Sequence, residues 1–181
     1  MHEDLFADYR RLIAKVDHFT ARVIHAYGPQ FACRLGCTEC CPPDLHLLPV
    51  EFSFMSQRFA SLPKGVQRAI RQNAASGMHD HSCSLLHGGV CLMYEHRPVI
   101  CRTHGLPLLI LEDGQERRDC CPRNFVGYPL VRLPKKDLVD LETLNALLVA
   151  VNIVFASRMR LEPGVRLPLS RIAYGPSGPV R

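Results

Sequence analysis

The sequence predicts a mainly α-helical protein in which long N- and C-terminal helices flank an irregular, cysteine-rich region of loops and small hairpins. Three observations predict this. Leu5, Tyr9, Leu12, Val16, Phe19 and Val23 recur at alternating spacings of four and three within residues 3–27, which marks one apolar helix face. Leu141, Leu144, Leu148, Val151 and Phe155 repeat that rhythm within 137–160, with acids at the start and Arg158 and Arg160 at the end, charges that suit the helix dipole. Between the two, residues 77–125 gather glycine, cysteine and histidine around turn signals at Gly88-Gly89 and Asp113-Gly114, a pattern of hairpins and loops.

The remaining elements follow in order. Gly28-Pro29 stops the first helix. Pro49 suits the first turn of a helix running to about Leu62, with Phe52, Met55 and Phe59 on one face. A further short helix covers Lys64 to Ala75. Beyond residue 162, Pro163, Gly164, Pro168 and the Gly-Pro-rich 175–179 predict an extended tail that finally frays. With no repeat and no linker, the expected organisation is a single domain over 1–181. Its parts are an N-terminal helix (1–32), the cysteine region (33–122), a C-terminal helix (137–160) and the tail (163–181).

At 181 residues and 47% hydrophobic content the chain can bury a core without cross-links. Met1 to Leu5 contain no basic-then-apolar leader, and no apolar run is expected to reach bilayer length. The expectation is a soluble, cytoplasmic chain with no membrane partner. Nine cysteines in such a compartment stay reduced, and an odd number leaves one thiol over in any all-disulfide scheme. Metal thiolates are the better explanation of their clustering. The net charge of +5 is concentrated beyond residue 116, but the cations there are scattered without interleaved aromatics. That favours a solvated surface over a nucleic-acid face.

The stretch C33-RLG-C37-TE-C40-C41 would project all four thiols into an arc of roughly 100° if it were helical. Cys33 and Cys41 would then stand about 12 Å apart along the axis. Two thiolates on one tetrahedral zinc must lie within about 4 Å, given Zn–S bonds of ~2.3 Å. So the segment unwinds, or serves more than one centre, or contains cysteines that are not ligands. Cys83, Cys91, Cys101, Cys120 and Cys121 lie in the turn-rich region, where short loops suit a metal. Read this way, the proximal cluster is half a site that the distal cysteines close by folding back.

The proximal motif, taken with C83-SLLHGGVCLMYEHRPVICRTHG ending at Gly105, resembles the CxxxCxxCC cysteine-cluster family of zinc- or iron-chelating domains. That family's second signature matches here at Cys83, Leu85, Cys91, Tyr94, Arg97, Pro98, Cys101 and Arg102, with Cys121-Pro122 as its last element. The resemblance implies a ligand set of Cys33, Cys37, Cys40, Cys41, Cys83, Cys91, Cys101 and Cys121, and it leaves Cys120 outside the pattern. It implies an iron–sulfur cluster or zinc, since thiolates suit both. The distance problem within the proximal motif leans slightly to one [4Fe-4S] cluster, with two closed zinc sites as the other arrangement. Arg97 and Arg102 flank Cys101 and are candidate donors to sulfur, balancing the negative charge of a thiolate centre. Tyr94 is expected to pack under the site or bond to it. His79, His81, His87 and His104 stand near distal cysteines, and His104 has Cys-x2-His spacing from Cys101.

Phosphate-loop, H-E-x-x-H, G-x-S-x-G and G-x-G-x-x-G motifs are all missing. The sequence therefore argues for a metal-binding protein before an enzyme. An iron–sulfur redox or enzyme component is the alternative, and a zinc-dependent nucleic-acid or protein adaptor ranks last. A protein partner is compatible with each.

Overall fold

The structure, a computed structural model, describes residues 4–42, 45–76 and 83–175. α1 spans Ala7–Tyr27 and buries Tyr9, Leu12, Ile13, Val16 and Val23, the face its spacing predicts. Gly28-Pro29 turns the chain into a 3-10 turn at Gly28–Gln30. α2 (Pro49–Ala60) starts on its proline, and the amide of Leu48 donates to the Glu51 carboxylate within its first turn. α3 covers Lys64–Ala75. α4 is a single turn, Val99–Thr103, that sequence periodicity is too short to reveal. α5 (Leu141–Met159) is capped by Asp140, whose carboxylate accepts from the Thr143 amide at 2.9 Å. Arg160 closes it in the left-handed region at φ 54°. The protein is mainly α.

The strands are short. β1 (His46–Leu47) pairs antiparallel with β7 (Leu167–Pro168). β2 (Leu86–His87) and β3 (Val90–Cys91) form a hairpin turned by Gly88-Gly89. β4 (Leu108–Glu112) and β5 (Gln115–Asp119) form a second, turned by Asp113-Gly114. β6 (Val139–Asp140) joins β4 in parallel and leads directly into α5. Both glycine-centred turns fall where the sequence places them.

Two apolar clusters hold the helices. α1, α2 and α5 meet around Tyr9, Phe54 and Phe155, with Phe6 stacked on Phe155 at 5.3 Å between centroids. α2, α3 and a 3-10 helix at Leu169–Tyr174 meet around Met55, Phe59, Ile70 and Ile172, and Cys83 and Cys91 pack against this cluster. The expectation of an extended tail is corrected here. Leu169, Ile172 and Ala173 are buried, and anchoring three apolar side chains outweighs the local bias of the prolines toward extended chain.

α5 corrects a second expectation. By length and composition Leu141–Met159 is apolar enough to cross a membrane, although the sequence reading sees no run of that length. One side, with Leu148 and Phe155, packs on the α1–α2 core, while Leu147, Val149, Ile153 and Val154 are 41–51% exposed. Polar residues in the helix mislead. Asn152 is buried, accepting from the Val50 amide at 3.1 Å and donating to the Pro163 carbonyl at 2.9 Å. It serves the core and leaves the outer face apolar.

Across the fold Asp137 ties the start of the C-terminal segment to α1. Its buried carboxylate accepts from the Arg22 guanidinium and from the Tyr27 hydroxyl, the latter at 2.8 Å. Burial alone would raise the Asp137 pKa, but the Arg22 and Tyr27 bonds hold it below the ordinary carboxylate value. The same bond pushes Tyr27 up to about 12. A lowered carboxylate pKa contributes stability that is present above the unfolded value and lost as pH falls through the folded one. Asp137→Asn should cost about 1–3 kcal/mol near neutrality. In urea unfolding, its deficit relative to wild type should shrink as pH drops through the carboxylate range. A deficit that stays constant from pH 7 to 3 would refute the role of the charge.

Candidate metal centre

The proximal cysteines are not on a helix. Residues 31–42 run as irregular chain with two tight turns, in which the Cys37 amide donates to the Arg34 carbonyl at 3.0 Å and the Cys41 amide to the Thr38 carbonyl at 2.9 Å. Gly36 sits at φ 87°, a conformation that glycine adopts freely and that ends a right-handed helix. Pro42 also disfavours helix at Cys41. The thiol stripe weighed in the sequence does not form, and the segment takes the unwound alternative.

Cys41 faces three distal cysteines. Cys83 precedes β2, with the Leu86 amide bonded to its carbonyl at 2.9 Å. Cys91 lies in β3 and Cys101 in α4. Burial is the main cause raising all four thiols, and it carries Cys41 and Cys101 up to about 12. Mutual repulsion adds to it. Cys40, then Cys83 and Cys91, raise Cys41, while Cys83, Cys41 and Cys91 all raise Cys101. Such effects require the four sulfurs to share one neighbourhood. Arg97 opposes them by drawing Cys91 and Cys101 down. Its guanidinium lies 3.5 Å over the Tyr94 ring, and its Nε is buried with no hydrogen-bond partner. Tyr94 is itself 54% exposed and so stands at the rim as a shelf for Arg97.

Two buried side chains set the position of α4. Glu51 accepts from the Val99 amide at 3.0 Å as well as from Leu48, fixing the start of α4 against that of α2. Arg102 is 8% exposed and spends its hydrogen bonds on oxygen. It reaches both carboxylate oxygens of Asp17 at 2.8 Å, the Arg97 carbonyl at 2.8 Å and the Glu95 carbonyl at 2.7 Å. The sequence sets Arg97 and Arg102 equally beside sulfur, but the structure separates them. Arg97 faces the thiols electrostatically, whereas Arg102 holds the backbone that presents them.

Cys33, Cys37, Cys40 and Cys121 form a second neighbourhood. Cys40 feels the thiolates of Cys37 and Cys33 after the larger effect of burial. A Cβ placed on Gly105 would lie 3.4 Å from Cys33 Sγ and 3.8 Å from Cys121 Cβ, so those two flank one point. Asn124, 3% exposed, accepts from the Ala32 amide at 2.9 Å and donates to the Gly105 carbonyl at 2.7 Å. Its amide nitrogen also lies 3.5 Å from Cys33 Sγ. Arg123 pairs with Glu39 between Cys37 and Cys40, clipping that turn to the Cys121 turn.

Cys120 is turned elsewhere. Its sulfur donates to the carbonyls of Cys121 at 3.3 Å and Asn124 at 3.6 Å, and it packs with Phe125 and Leu133. His104 and His87 are exposed, and His79 and His81 lie outside the described residues. Among the described residues no three His, Cys, Asp or Glu side chains already stand as a closed ion site. The donor chemistry nonetheless fits a cation. Thiols that raise one another's pKa are relieved by a positive ion between them, and the unpartnered Arg97 Nε suits a site whose thiolates carry net negative charge. Asn124, Glu51 and Gly105 are residues the sequence reading misses as contributors. Gly105 alone carries a local signal, closing the C-R-T-H-G run at φ 89°.

A family described as "putative zinc- or iron-chelating domain" matches residues 32–123, a span that includes every cysteine of the chain. No curated protein and no solved structure matches. The matched half of the sequence carries both thiol neighbourhoods, and the chelation in that description is the chemistry their sulfur donors suit. The chain belongs to the CxxCxxCC family.

Proposed function

We propose that this chain is a cytoplasmic metal-binding protein that holds an iron–sulfur cluster or zinc through cysteine thiolates, within a single domain. The observation that carries the reading is the convergence of Cys41, Cys83, Cys91 and Cys101 from four separate segments into one partly buried neighbourhood. Four thiolates would complete a tetrahedral zinc site or ligate one [4Fe-4S] cluster. Because no trio among the described residues yet closes on a single ion, the larger body of a cluster needs less rearrangement, which favours iron–sulfur. A bound cluster or zinc would supply a positive core to the thiolates. Arg97 would balance the remaining negative charge, with Tyr94 beneath it. Arg102 and Glu51 would hold α4 in register through oxygen and amide contacts.

Anaerobic purification with metal and sulfide analysis tests this. Iron with matching sulfide and a visible absorption that bleaches on reduction supports the cluster. Stoichiometric zinc with no iron selects the zinc form, and a chain free of both overturns the reading. Cys101→Ser should lower metal content and, because metal binding is linked to folding, the melting temperature as well. Arg102→Met should cost about 1–3 kcal/mol by leaving the Arg97 and Glu95 carbonyls without their donor, read from denaturant unfolding. Full metal loading in Cys101→Ser would remove that cysteine from the ligand set.

A further inference from the structure

We propose that Cys33, Cys37, Cys40 and Cys121 form a second metal site, separate from the one at Cys41, Cys83, Cys91 and Cys101 and more readily exchanged. The inference rests on the metal-binding reading above and specifies how many centres the eight cysteines build and how they differ. Its ligand class is a soft, thiophilic cation such as zinc or iron, since sulfur is the only donor that the four residues offer.

Four contacts draw this second set together. The Gly105 turn brings Cys33 Sγ and Cys121 Cβ to within 3.4 and 3.8 Å of one point, where only a glycine leaves the space open. Asn124 joins the strands of that wall, bonding to the Ala32 amide, to the Gly105 carbonyl and toward Cys33 sulfur. The Phe125 amide adds a bond of 2.8 Å to the Gln30 carbonyl. On the far side the Arg123–Glu39 pair holds the Cys37–Cys40 turn against the Cys121-Pro122-Arg123 turn. None of these contacts involves Cys83, Cys91 or Cys101.

The division passes between Cys40 and Cys41. The two thiols hydrogen-bond to each other, so this adjacent pair is the seam at which the sets meet, with one thiol assigned to each. The sets are contiguous at this pair. A Cβ on Gly89, in the turn of the Cys91 hairpin, would lie 3.6 Å from the Gly36 Cα in the Cys33–Cys37 loop, which stacks the two sets side by side. Their surroundings differ. Cys83 and Cys91 pack on the α2–α3 core, whereas Cys33 is exposed. Solvent and competing chelators therefore reach the second set first.

Titration of the metal-free full chain with Zn²⁺ alone tests the inference. Wild type should bind two equivalents. Cys121→Ser and Cys37→Ser should each bind one, and so should Cys91→Ser and Cys83→Ser, which keep the other set. Using two variants per set and recording circular dichroism for each separates loss of a site from loss of fold. Release of zinc from the loaded wild type to EDTA should be biphasic, with the fast phase missing from Cys121→Ser and retained by Cys91→Ser. Gly105→Ala, strained at φ 89° and crowding Cys33, should accelerate the fast phase and leave the slow one unchanged. A single equivalent in wild type, lost equally in variants of both sets, would overturn the two-site inference while leaving metal binding intact. No zinc binding by wild type would also overturn the two-site inference, whereas the metal-binding reading falls only if the purified chain carries neither iron nor zinc.

Discussion

Arg102 is buried between the long N-terminal helix and the loop that carries the distal cysteines. Its guanidinium bonds to both oxygens of Asp17 on α1 and to the carbonyls of Arg97 and Glu95. Planar, forked donors can satisfy a carboxylate and two carbonyls at once, which a lysine cannot. The turn from Glu95 to Arg97 thereby takes its shape from a residue of the following helix, and that helix takes its place from α1. Glu51 adds the second constraint by binding the first amide of α4. Through these two side chains the helical body dictates where Cys101 and Arg97 stand.

Electrostatics then explain why the region is built from turns. Thiols crowded away from water raise one another's pKa, as at Cys41 and Cys101, so the arrangement opposes its own ionisation until a cation arrives. A long helix or strand would space its sulfurs on a fixed repeat. Short turns at Arg34–Cys37 and Thr38–Cys41, followed by two hairpins, let each sulfur be aimed separately. The left-handed residues at Gly36, Gly105 and Phe125 mark where the chain bends to do so. Phe125 is the costly one, about 1–2 kcal/mol for a side-chain-bearing residue, and its packing with Phe31, Tyr27 and Tyr128 holds it. That bend sets Asn124 against Cys33.

Much of this was legible in the residues. The spacing of Tyr9, Leu12 and Val16 located α1, Pro49 located the start of α2, and Gly88-Gly89 and Asp113-Gly114 located both hairpin turns. Those signals are local, so a single sequence carries them. The cysteine motifs likewise identified the family. What escaped reading depends on distant partners. Whether Arg97 or Arg102 faces sulfur is decided by Asp17, 85 positions from Arg102. The burial of Leu169 and Ile172 depends on α2 and α3. Asn152 is buried and bonds to Val50 and Pro163, partners that no local pattern reveals, so the outer side of α5 is left apolar.

The order of the cysteines along the chain carries a consequence for synthesis. Cys33 to Cys41 leave the ribosome first, and the next described thiol, Cys83, follows only after α2 and α3 have been made. During that interval four thiols stand within nine residues with no distal partner to fold onto. Closely spaced free thiols exchange and oxidise readily when an oxidant is present. The nascent chain thus passes through a stage in which mispairing within its first motif competes with the closure that the finished protein achieves. Cys121 is the last of the eight to arrive, so the set that contains it is also the last that can be completed.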